Sequence, residues 1–129
     1  MKFMLMMHAP ANCAEALAQW SQADFKAHIE FMIALNKELT ASGELLLAEG
    51  LAMPNEAKIV KAKQPGKPLV TDGPFPEAKE FLAGFWLVQV PNAERAYAIA
   101  ARASVAPGPG GAPMGIPIEV RAVGSAPEV

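Results

Sequence analysis

The run Phe81-Leu82-Ala83-Gly84-Phe85-Trp86-Leu87-Val88-Gln89-Val90 reads as a strand buried on both sides. Drawn out as a strand, it sends Phe85, Leu87 and Gln89 to one face and Trp86, Val88 and Val90 to the other, because strand side chains alternate with a period of two. Apolar side chains on both faces belong inside a sheet. The opening segment Lys2 to His8 has the same property, with Met4, Met6 and His8 on one face and Phe3, Leu5 and Met7 on the other. Two such strands need cover from both sides.

Outward from these two strands, the punctuation residues set the remaining elements. Pro10 ends the first strand, and Asn12 with Glu15 has the form of a capping pair ahead of Ala16, Leu17 and Trp20, which predicts a short helix. Ser21 and Asp24 repeat that signal. Phe25, Ile29, Met32, Asn36 and Leu39 then recur at helical spacing as the expected inner stripe, with Lys26, Glu30 and Lys37 facing solvent and Gly43 closing the helix. Glu44 to Leu51 reads as a strand, and Pro54-Asn55 marks a turn. Ala57 to Lys63 and Pro68 to Thr71 form a more exposed hairpin about the turn Gln64-Pro65-Gly66-Lys67. The loop Asp72 to Pro76 leads into the central strand. Asn92 starts a helix that runs to Arg102, the Pro/Gly-rich stretch Val105 to Pro117 is a linker, and Ile118 to Val123 is the last strand. This predicts one domain over residues 1–124 and a loose tail over 125–129.

The order strand, helix, strand, hairpin, strand, helix, strand is that of an α+β, ferredoxin-like unit with an added β-hairpin. Two substantial helices cover one face of its sheet. The apolar second face is then expected to meet the same face of another copy, since twofold homodimers are the commonest assemblies and their interfaces resemble a divided core.

Composition narrows the function. A chain of 129 residues, 52% hydrophobic and 19% charged, suits a folded domain rather than a disordered one. Its apolar runs are too short for a membrane span. The formal charge is −2 and the eleven basic residues are scattered, so there is no basic stripe for nucleic acid. With Cys13 as the single cysteine, a cytoplasmic, reducing setting is expected.

The stretch from Pro68 to Glu80, PLVTDGPFPEAKE, followed by Leu82, Gly84 and Phe85, closely resembles the signature of the DGPF-type proteins of the YCII-related family. Weaker similarity covers the opening strand, the helix bearing His28, the strand end Ala48-Glu49-Gly50-Leu51 and the closing Ile118-Glu119-Val120-Arg121. The resemblance implies a dimeric α/β barrel of ferredoxin-like subunits with mostly uncharacterised activity. It also implies a His/Asp pair in a cleft, which falls on His28 and Asp72.

Read from the residues, His28 sits at or beside the helix's apolar stripe, where an imidazole titrating near neutrality can move a proton or simply bond a carbonyl inside the core. Asp72 opens a turn and can bond its own backbone, or it can fix the tautomer of a neighbouring imidazole. Gly73 and Pro74 serve backbone geometry. Glu49 and Arg121 are substrate-binding candidates that can equally pair with each other or line a solvated edge, and His8 is a third. Two histidines without close-spaced ligands make no metal motif, and no cofactor motif is present.

Two functions fit. One is a small-molecule enzyme of isomerase, lyase or hydrolase type, with a His28/Asp72 general acid–base pair near the dimer interface. The other is a non-catalytic ligand-binding or protein-interaction dimer, such as a regulatory partner of a transcription factor.

Overall fold

A computed structural model describes residues 1–127. Its elements are β1 (Lys2–Pro10), α1 (Cys13–Leu17), α2 (Gln22–Ala41), β2 (Leu45–Gly50), β3 (Lys58–Gln64), β4 (Lys67–Asp72), β5 (Glu80–Gln89), α3 (Ala93–Ser104) and β6 (Ile118–Ala122), with 3-10 turns at Pro54–Glu56 and Pro109–Gly111. Four strands form an antiparallel sheet in the order β2-β5-β1-β6, and β3 with β4 forms a separate two-stranded sheet. The architecture is mixed α+β, consistent with a ferredoxin-like subunit. The two strands with two apolar faces, β5 and β1, occupy its centre.

Helices α2 and α3 pack on one face of the four-stranded sheet. Phe3 and Leu5 of β1 and Trp86 and Val88 of β5 meet Leu35 and Leu39 of α2 and Ile99 and Ala103 of α3, all buried. The other face can be read across the ladders in rows. One row is Glu49, Phe85, Met6, Glu119, and the next is Leu47, Leu87, Met4, Arg121. Directly paired residues point to the same side, so this face is apolar along its middle and charged toward its edges. Met4, Met6, Phe85 and Leu87 are only half-buried there.

The helix signals succeed where they are complete. Ser21 and Asp24 form a full capping box, each side chain accepting from the other's backbone N–H, at 3.0 and 2.9 Å. Gly43, at φ 78°, ends α2. Its N–H reaches the Thr40 carbonyl and that of Glu44 reaches Leu39, the pairing that a left-handed residue after a helix permits. Asn12 does not cap α1: its backbone, at φ −97° and ψ 19°, lies outside the extended region that aims a capping side chain, and no cap bond forms.

The inner stripe of α2 follows the expected one at Met32, Asn36 and Leu39 but departs from it in the first turns. Leu35 and Leu39 are buried, and Asp24, His28, Phe31, Met32 and Asn36 are half-buried, whereas Phe25 and Ile29 are 39% and 54% exposed. Both sets have helical spacing, so periodicity alone does not choose between them in these turns. Residues 125–127 are exposed and irregular. The part of the expected tail at Glu128 and Val129 lies outside the described residues.

Candidate functional site

Small residues open a space beneath α2. Ala48 and Gly50 of β2 with Ala83 and Gly84 of β5 put almost no side-chain volume between sheet and helix, leaving a half-open pocket of about 260 Å³. Met7, Met32 and Trp86 supply apolar walls, and His28 and Asn36 are its polar side chains from α2. Glycine suits position 84 because a Cβ there would crowd the Glu49 carbonyl oxygen at 3.0 Å. The Asn36 side-chain oxygen accepts from Trp86 Nε1 at 2.8 Å, which explains a polar residue in an apolar stripe.

His28 projects from the middle of α2 and is half-buried. Its Nδ1 lies 3.1 Å from the carbonyl oxygen of Pro107. A carbonyl only accepts, so Nδ1 carries a proton, and in the neutral form of the ring the lone pair is on Nε2. Trp20 stands edge-on to the ring, with centroids 5.6 Å apart at 73°. The segment after α3, read above as a linker, is therefore part of the site. Gly110 N–H donates to Asp24 at 3.0 Å, so the segment is fastened to the start of α2 as well as to His28. Backbone N–H groups of Ser21 and then Gly110 hold the Asp24 carboxyl below its ordinary value.

Asp72 lies elsewhere, at the end of β4 on the hairpin. It faces Lys58 across the ladder and binds that ammonium at 2.6 Å, with a carboxylate side chain 90% exposed. It does not line the pocket, and no bond joins it to His28 within the chain. The next residue shows why glycine follows: Gly73 N–H donates to the Ala57 carbonyl at 2.8 Å, and a Cβ there would crowd that carbonyl and Ile59 at 3.2 Å.

The three remaining candidates share the sheet face away from the helices. His8 Nε2 is 3.1 Å from Glu119 Oε1, and the other oxygen of Glu119 is 3.8 Å from Arg121 Nε. Glu49 sits on β2 and Arg121 on β6, at opposite edges of the sheet with two strands between them, so the anticipated Glu49–Arg121 ion pair does not form within one chain. The Glu49 backbone borders the pocket, while its side chain shares the far face with Phe85. None of the five candidates is bonded to another. Among the described residues, no group of three or more His, Cys, Asp or Glu is arranged to hold a metal ion.

Sequence reasoning missed Trp20, Asn36 and Pro107. Asn36 left a signal, since an amide within an apolar stripe calls for a buried partner. Pro107 left none, being 79 residues from the histidine it meets.

Fold and pocket together define a mixed α+β protein with antiparallel sheets and a small, largely apolar pocket that contains one histidine. The YCII-related domain model matches residues 1–109, and the chain belongs to that family. No curated protein matches it. Among the described residues no helix is long and apolar enough to cross a membrane.

Proposed function

We propose that this YCII-related chain is a small-molecule enzyme, acting as a homodimer in the reducing cytoplasm, in which His28 is the general base. One observation carries the reading: the Pro107 carbonyl fixes a proton on Nδ1 of a histidine that lines a largely apolar pocket, so that when the ring is neutral its lone pair is on Nε2. Proton abstraction from a small organic substrate, in an isomerisation, elimination or hydrolysis, needs that state. Asp72 enters as the acid–base partner that the DGPF resemblance implies. Its exposure on a hairpin suits a group presented to another molecule. The uncovered sheet face supports the dimer, because a second copy would bury Met4, Met6, Phe85 and Leu87. Glu49, Arg121 and His8 would then line the cleft between subunits and orient the substrate. The reading calls for no cofactor.

A second reading, a non-catalytic ligand-binding or protein-interaction dimer with a regulatory role, is favoured by the side-chain partners. His28 is engaged by Pro107 and Asp72 by Lys58, so a single chain holds no joined acid–base pair.

Native mass spectrometry of the wild type and of His28→Ala, with turnover assays on any metabolite retained, separates the two. The enzyme reading expects turnover to collapse in the variant. Turnover and retention unchanged by the substitution would overturn the role of His28. A monomeric mass by light scattering at micromolar concentration would reject the dimer.

A further inference from the structure

The β3–β4 hairpin has little support from its own chain. It is a two-stranded sheet by itself, and all of its strand residues except Ile59 are exposed. An isolated hairpin of this kind is at best marginally stable in water. Yet its ladder is regular from Lys58 opposite Asp72 to Ala62 opposite Pro68. The pairing makes the hairpin two-faced. Val60 and Val70 stand directly opposite each other with Ala62 and Pro68 on the same side, while Lys61 and Leu69 are paired on the other. The two valines are 59% and 54% exposed, and an exposed β-branched pair beside open strand edges calls for cover.

Charge points to what covers it. Lys58 to Asp72 contains four lysines and one carboxylate, a net +3, whereas the rest of the chain has seven basic and twelve acidic residues, a net −5. Lys58 is engaged by Asp72, and no carboxylate lies within ion-pair distance of Lys61, Lys63 or Lys67 among the described residues. A second copy offers the opposite charge. It also offers apolar surface, because Leu46 and Leu51, along and just after edge strand β2, are 50% and 47% exposed. Between them lie Glu49, which has no basic partner among the described residues, and Gly50 of the pocket wall.

We propose that the β3–β4 hairpin is an arm received by a second copy, its Val60–Val70 face covering the partner's β2 edge and closing the open side of the partner's pocket. The inference rests on the dimeric reading above and goes beyond it, since each pocket is then complete only when the other subunit's arm is in place. Opposite charges on arm and body steer the docking, so it weakens with salt.

The test is sedimentation of the full chain with amide exchange on the same samples. Val60→Glu/Val70→Glu and the charge reversal Lys61→Glu/Lys63→Glu should each weaken dimerisation by about tenfold or more, equivalent to ~1.4 kcal/mol. The loss from charge reversal should shrink in high salt, and adding Glu49→Lys should recover part of it. Arm amides should exchange slowly in the wild-type dimer and fast in a Phe85→Glu monomer. Both hairpin variants are exposed substitutions, and circular dichroism checks that they fold. A wild-type dimer whose arm amides exchange without protection, or whose dimerisation ignores both hairpin variants, overturns the arm and leaves the dimer standing. A monomeric wild type overturns both.

Discussion

Asn36→Ala removes the acceptor for the Trp86 indole and makes a quantitative test of how α2 is held on the sheet. Trp86 is 6% exposed, and its Nε1 donates to the Asn36 side-chain oxygen at 2.8 Å. Without that oxygen the N–H stays buried and unpaired, which costs about 1–3 kcal/mol. The truncation also loses a few methylene-scale contacts, so the single variant alone is ambiguous. A double-mutant cycle resolves it. Trp86→Phe deletes the donor at some cost in packing, and in that background Asn36→Ala should cost only a few tenths of a kcal/mol. The coupling energy should then be about 1–2 kcal/mol, in the range for directly bonded side chains. The assay is urea unfolding followed by far-ultraviolet circular dichroism, at one protein concentration because association shifts apparent stability. Costs that add to within about 0.5 kcal/mol would show that the bond contributes nothing beyond its two parts and does not hold α2 on the sheet.

Acid should destabilise the fold through Glu44. Hydrogen bonds from Arg95, then Ser42, hold its carboxyl at about 2 rather than 4.5. The folded value is the lower one, so this stability is fully present above about 4.5 and is lost as pH falls toward 2. The ceiling is roughly 3 kcal/mol, and screening at the partly exposed Arg95 reduces it to about 1 kcal/mol. Glu44→Gln should flatten stability against pH across that window, and an unchanged slope would dismiss the pair as a contributor. Gly43→Ala should destabilise by about 1 kcal/mol in denaturant unfolding, because Gly43 is left-handed at φ 78°. A gain in stability there would mean that helix propensity outweighs the cap.

Much of the fold is legible locally. The two apolar faces of Phe81 to Val90 and of Lys2 to His8 place these strands at the centre of the sheet, as β5 and β1. Ser21 with Asp24, Gly43 and Asn92 mark helix ends because a cap is made by residues within a few positions of each other. The inward face of α2 was legible from Met32 to Leu39 but not in its first turns, where Phe25 and Ile29 fit helical spacing as well as His28 and Phe31.

At the candidate site, the chemical groups can be read from the chain alone: an imidazole on α2, a carboxylate before Gly73-Pro74, and a signature resembling the DGPF type. Their neighbours come from the folding together of distant segments. His28 takes its partner from Pro107, Asp72 is held by Lys58, and Glu49 and Arg121 sit at opposite edges because β5 and β1 come between β2 and β6. The reason is the range of the forces involved. Periodicity and capping act over one or two turns of chain, whereas strand order and helix rotation are chosen by core packing, which depends on the whole chain at once.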